Sequence, residues 1–228
     1  MTEDSNHIDI VAAPGVFADL QTAQELVARA LSARGLSGGI VDAATGSGEV
    51  VVVPGDGAQV DSSLYSSVVR VDFGQCAPDR SEGIRANIRG RGLDGLRFAI
   101  DSVYFHRFHP GTIVTYGDHP EQRVELRVPE GDGPFPVAVL IHGGYWRSRW
   151  EFDLMDAMAV DLTARGYATW NVEYRRPDEH GWDATTEDVA AALAALEIAP
   201  ASMDLSRIVL VGHSAGGQLA LRLAADSV

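Results

Sequence analysis

Two short glycine-bounded clusters in the carboxyl-terminal half hold the side chains whose types and spacing could do chemistry. The first is Gly212-His213-Ser214-Ala215-Gly216, set after the apolar run Arg207 to Val211 and before the helix-forming run Gly217 to Ala225. A serine on so sharp a strand-to-helix turn is pushed into the open, and glycines on each side let strand and helix pack closely. Ser214 is therefore the candidate nucleophile toward a carbonyl. A helix that begins directly after it presents unpaired N–H groups and a positive dipole end, which makes the Ala215 N–H a donor for the oxygen that turns negative during attack. A merely structural Gly-Ser-Gly turn is the alternative for the pentapeptide alone, and the flanking elements weigh against it.

The second cluster is His142-Gly143-Gly144-Tyr145-Trp146, at the end of the apolar run Pro136 to Ile141. Adjacent glycines let bare backbone N–H groups approach a ligand oxygen, so Gly143 and Gly144 are expected to complete an oxyanion hole. His142, just ahead of them, reads as a brace for the loop rather than as a base. Tyr145 and Trp146 are candidates for an acyl or aromatic pocket, with packing of Trp146 near Trp150 as the plain alternative.

These clusters, with Asn171-Val172-Glu173-Tyr174-Arg175-Arg176 between them, resemble α/β-hydrolases of the kynurenine formamidase and feruloyl-esterase-like group. The resemblance runs from about Val114 onward. It implies that Gly143, Gly144 and Trp146 serve substrate binding and the oxyanion hole, and that Ser214 accepts the acyl group. It also implies small carboxylic esters or arylformamides as substrates, with no cofactor and no metal.

In that fold an acid and then a histidine follow the serine on later loops. The 14 residues after Ser214 contain no histidine, so the sequence reads as a chain that stops before its acid and base and is nearly inactive as written. A non-catalytic hydrolase-like fragment or binding module is the rival reading, and transfer of the acyl group to an acceptor other than water is a third. His180, after the apolar run Tyr167 to Val172, is read as a loop residue, and His106, His109 and His119 rank below it. Asp188 is read as first-turn charge on a helix. Arg175 and Arg176 are read as loop anchors, with a substrate carboxylate as the other option.

Elements that would position these groups follow from the apolar pattern. Ile113 to Gly117 and Arg123 to Pro129 read as a hairpin joined by a polar turn. Pro136 to Ile141, Tyr167 to Arg176 and Arg207 to Gly212 read as buried parallel strands, alternating with helices over Glu151 to Arg165, Thr185 to Leu196 and Ala215 to Ala225. The fold class is thus α/β: a partial α/β-hydrolase fold over residues 106–228, preceded by a small unrecognised α/β segment over 1–105. In that segment His7 to Ala13 and Glu49 to Asp56 read as strands, Phe17 to Arg34 as an amphipathic helix, and Asp94 to Tyr104 as a packing helix. Gly90, Gly92 and Gly95 follow no clear strand and read as a turn rather than a phosphate loop.

Composition narrows the partners. With 32 acidic against 18 basic residues, every one of the latter Arg, the formal charge is −14, which disfavours nucleic acid and anionic membranes. A sheet ending at its central strand invites a second copy or a partner chain over that edge. The lone Cys76 allows no internal disulfide, and the acidic start MTEDSNH is unlike a secretory signal. A cytoplasmic, small-molecule enzyme is the expectation.

Overall fold

The computed structural model describes residues 6–55 and 58–226. Residues at both ends of the chain, and Asp56, which closes one expected strand run, lie outside them. The chain divides into two compact units, Met1–Phe108 and His109–Val228.

The first unit is built from strands β1 (His7–Ala12), β2 (Ser37–Val41), β3 (Glu49–Val53), β4 (Ser67–Asp72) and β5 (Ile84–Arg89), with helices α1 (Leu20–Ala33) and α2 (Gly95–Phe108). The strands are all parallel, in the order β2-β1-β3-β4-β5. Helix α1 starts three residues later than expected because Asp19 caps it, its carboxylate accepting the Thr22 N–H at 3.1 Å and the Thr22 hydroxyl at 2.7 Å. Ala23, Val27 and Leu31 of α1 and Leu96, Ile100 and Val103 of α2 pack in one core with Val51, Val53, Val69 and Val71, so both helices bury a single stripe.

Three of these strands were not anticipated. β2 is hidden by Gly38 and Gly39, and β4 and β5 carry Arg70, Asp72, Asn87 and Arg89, all buried, where a polar face usually signals solvent. Arg70 is held there by a fork to Asp72 at 2.8 and 2.9 Å and by Asp79 at 2.8 Å. Gly90-Arg91-Gly92-Leu93-Asp94-Gly95 consequently does follow a strand and open a helix, contrary to the sequence reading. Its amides are nonetheless committed: the Gly90 N–H donates to the Asp72 carbonyl at 3.0 Å and the Gly92 N–H to that of Phe73 at 3.4 Å. The run is a turn that extends the sheet.

The second unit contains β6 (Thr112–Thr115), β7 (Arg123–Arg127), β8 (Phe135–Ile141), α3 (Asp156–Ala164), β9 (Ala168–Val172), α4 (Pro177–Ala194), β10 (Met203–Gly212) and α5 (Ala215–Asp226). Strand order is β10-β8-β9-β7-β6, with β10, β8 and β9 parallel and β7 antiparallel to both of its neighbours. Apolar residues occupy both faces of the central strands, as two-sided burial requires. Val137, Val139, Ile141, Trp170 and Val172 meet Val189 and Ala192 of α4 and Leu219 and Leu223 of α5. On the other face Ala138 and Leu140 meet Met155 and Ala159. No helix among the described residues is long and apolar enough to cross a membrane.

Two helices depart from the sequence reading. The stretch Glu151 to Arg165 divides into a 3-10 turn over Phe152–Met155 and α3. Helix α4 begins at Pro177, whose ring suits a first helical position, and is kinked where Gly181 adopts φ 82°. His180 therefore lies on a helical turn and not in a loop, and Asp188 lies inside the helix and not at its start.

All four tryptophans fall in the second unit, so their fluorescence reports its unfolding alone. Trp170 is fully buried in β9 and donates its indole N–H to the Ala192 carbonyl at 2.8 Å. Trp170→Ala is expected to cost about 3–5 kcal/mol in urea unfolding followed by the remaining tryptophans. A loss below about 1 kcal/mol would contradict this packing.

Candidate active site

One residue past β10 the chain is still tied to β8, the His213 N–H donating to the Ile141 carbonyl at 3.1 Å. The Gly216 and Gly217 N–H groups then donate to the His213 and Ser214 carbonyls, both at 2.9 Å. These bonds start α5 and leave the Ala215 N–H ahead of the helical ladder. Ser214 is exposed and takes φ 52°, a left-handed conformation that costs a non-glycine residue about 1–3 kcal/mol.

Glycines permit this turn. A methyl group at Gly212 would overlap the Gly216 backbone, and one at Gly216 would overlap the Ile141 carbonyl. A methyl at Gly143 would lie 2.6 Å from the His213 carbonyl oxygen and 3.0 Å from the Ser214 Cβ. The two motifs, far apart in sequence, are thus backbone against backbone at the carboxyl ends of β8 and β10. Ser214, Ala215 and Gly143 come together, with Gly144 next in the chain.

A buried network holds the glycine loop. The His142 ring is fully buried, with Nδ1 2.6 Å from the Gly143 carbonyl oxygen and Nε2 3.3 Å from Glu173 Oε1. The short contact assigns the proton to Nδ1, since a carbonyl can only accept, which leaves Nε2 bare and makes its approach to the Glu173 carboxylate a packing contact and not a hydrogen bond. A trans peptide sets its C=O and N–H on opposite sides, so anchoring the Gly143 carbonyl on the ring turns the Gly144 N–H away from the core. Burial, helped by the Arg176 guanidinium, pushes the His142 pKa down to about 3. The ring is a neutral brace, as expected from its position.

Glu173 lies beneath this loop and links it to its supports. Its carboxylate accepts from the Phe152 N–H at 2.9 Å, the Tyr174 N–H at 3.0 Å and the Arg176 guanidinium. Arg176 also donates to Glu121 at 3.0 Å, and the Tyr174 hydroxyl donates to the His142 carbonyl at 2.7 Å. Arg175 forms a fork with Asp188 at 2.9 and 2.7 Å. Both arginines are therefore loop anchors, and Asp188 is an ion-pair partner rather than a dipole charge.

Beyond Gly144 the loop is strained. Gly144 has φ 125° and its α-carbon faces the Trp150 side chain, while Tyr145 and Trp146 have φ 53° and 63°. Ser148 holds the segment, its N–H donating to both oxygens of Asp178 at 3.1 and 3.0 Å. Trp146 packs edge-on against Trp182, ring centroids 5.1 Å apart. Tyr145 is 81% exposed and takes no part in that aromatic wall.

Sequence reasoning gave no role to Glu173, Asp178, Ser148 or Trp182. A charged Glu173 directly after an apolar strand was the available signal for the first. Among the described residues no side chain hydrogen-bonds the Ser214 hydroxyl: His142 is committed to the loop, and His180 faces Glu121 at 3.6 Å.

Residues 125–227 match the BD-FAE family model. Esterase LipC of Mycobacterium tuberculosis is 30% identical over 120 residues, 51% of this chain and 29% of that protein. Esterase EstD of Thermotoga maritima is 30% identical over 112 residues, 45% of this chain and 27% of that protein. The chain thus spans less than a third of the length of either relative. Esterase B of Lactobacillus rhamnosis aligns with a TM-score of 0.45 at 29% identity, over 50% of this chain and 38% of that one. Over residues 125–227 the second unit is thus similar to the BD-FAE family and to parts of two esterases, and its mostly parallel sheet flanked by helices is an α/β architecture.

Because the folded His142 pKa lies below the unfolded value near 6.5, the unfolded chain binds a proton that the native ring refuses between those limits. Its contribution to stability is complete above pH 6.5 and is lost as pH falls. Relative to His142→Gln, the wild type should lose stability toward pH 4 by up to roughly 1.4 kcal/mol per pH unit. Parallel pH profiles for the two proteins would contradict a buried neutral ring.

Proposed function

We propose that the second unit carries the nucleophile and oxyanion hole of a serine esterase. The observation that carries this reading is the apposition of Gly143 and the Ser214 Cβ at 3.0 Å from a methyl position, on a serine strained into a strand-to-helix turn. In the reaction Ser214 Oγ bonds to the ester carbonyl carbon, the carbonyl oxygen takes the negative charge, and the alcohol then leaves with a proton. The Ala215 and Gly144 N–H groups stabilise that oxygen, and each such donor contributes about 2.7–4 kcal/mol. Water finally takes the acyl group from Ser214.

Small carboxylic esters are the proposed substrates, with arylformamides of the kynurenine formamidase type as the narrower class. The Trp146–Trp182 pair supports an aromatic group beside the glycine loop. His142 is not the proposed base, because its ring is fully buried and holds the Gly143 carbonyl through Nδ1.

Hydrolysis of p-nitrophenyl acetate and of N-formylaniline by the purified chain tests the reading. Expected is product release that returns to the buffer rate in Ser214→Ala and falls toward it, by up to about 10²–10³-fold, in Gly144→Ala, whose methyl would overlap Trp150 and swing the N–H away from the oxyanion. Equal rates in wild type and Ser214→Ala would contradict it.

A further inference from the structure

The proposed esterase chemistry leaves aside a set of ionisable side chains in the second unit: Glu121, just ahead of β7, and Glu179 and His180, in the first turns of α4. We propose that these three hold a divalent cation of the Zn²⁺ class. This inference does not rest on the esterase reading, and it departs from the sequence expectation of no metal.

Each of the three turns one ligand atom toward a common point, and those atoms all lie within 4.8 Å of one another. His180 Nε2 is 3.6 Å from Glu121 Oε2 and 4.0 Å from Glu179 Oε2. Zinc bonds of about 2.0–2.2 Å to nitrogen and oxygen put tetrahedral ligands about 3.4 Å apart. The trio needs only a small closure, with Glu179 offering Oε2 while its Oε1 accepts from the Ser148 hydroxyl at 2.5 Å. One imidazole and two carboxylates, with a fourth position open to water, suit zinc better than an all-oxygen cation such as Mg²⁺.

Glu121 is built for the role rather than scattered on the surface. It is only 3% exposed, and Arg176 takes Oε1 while Oε2 is turned toward His180. Its backbone N–H donates to His119 Nδ1 at 3.2 Å, and the His119 ring packs edge-on against His180 with centroids 4.9 Å apart. These contacts fix both the carboxylate and the imidazole from behind, as supports of metal ligands do. Charge points the same way: Arg176 is shared between the buried Glu121 and Glu173, and Asp178 and Glu179 add negative charge from α4. A bound cation would tie the β6–β7 turn to the helix whose Asp178 and Glu179 hold Ser148 of the glycine loop.

Calorimetric titration of the untagged, chelator-treated chain with Zn²⁺ tests this, alongside His180→Ala and Glu179→Gln. Expected is uptake of a single Zn²⁺, weakened at least about tenfold in each variant. Co²⁺ in place of Zn²⁺ should give visible absorption bands that His180→Ala removes. Circular dichroism of the metal-free proteins separates a lost site from a lost fold, and Glu179→Gln, on the exposed side, decides if His180→Ala unfolds. Absence of Zn²⁺ uptake by the folded wild type, or uptake unchanged in a folded Glu179→Gln, would overturn the proposal.

Discussion

Backbone runs against backbone where β8 and β10 end, and the candidate site is built on that approach. Side chains at Gly143, Gly212 or Gly216 would occupy space already filled by the His213, Gly216 or Ile141 main chain. With only hydrogen at those α-carbons, the turn after β10 closes tightly enough to strain Ser214 and to set the Gly143 backbone beside it. Parallel pairing of β8 with β10 supplies the frame, since it brings Ile141 opposite Gly212 in register. Residues at the carboxyl ends of neighbouring parallel strands then share one rim.

A second constraint is the buried charge beneath the rim. Glu173, Arg176 and the neutral His142 are all 1% exposed or less, and ions taken so far from water are tolerated only when well partnered; here Arg176 Nε alone of the two ions' polar side-chain atoms is buried without a hydrogen bond. The network is correspondingly dense, with Phe152, Tyr174 and Glu121 taking the remaining contacts. Its effect reaches the surface through a single carbonyl: the neutral His142 ring grips Gly143, and the rigid peptide carries that orientation to the Gly144 N–H. The left-handed Tyr145 and Trp146 that follow are held by Ser148 and Asp178 from α4. Loop, strand and helix thereby fix one another before any substrate arrives.

The second unit was largely legible because its signals are redundant. Continuous apolar runs such as Val137 to Ile141, ended by glycines, leave little choice but a buried strand opening onto a loop. The first turns of α4 escaped because Gly181 interrupts the helix, so they read as a loop, and His180 and Asp188 were misplaced with them. In the first unit, β4 and β5 carry Arg70, Asp72, Asn87 and Arg89 on a buried face, and local pattern cannot distinguish buried polar residues that satisfy one another from solvated ones. The site itself was read from motif and context. Its supports, Glu173 and Asp178 above all, depend on tertiary contacts that no spacing in the sequence encodes.

The most direct measurement is covalent capture by an aryl alkylphosphonate ester, whose tetrahedral adduct on a serine places an oxygen where the oxyanion would form. The adduct is mapped by peptide mass spectrometry. The account predicts modification at Ser214, suppressed when Gly143→Ala forces the glycine loop away from the turn. Modification spread over other serines with Ser214 untouched, or Ser214 labelling unaffected by Gly143→Ala, would contradict it.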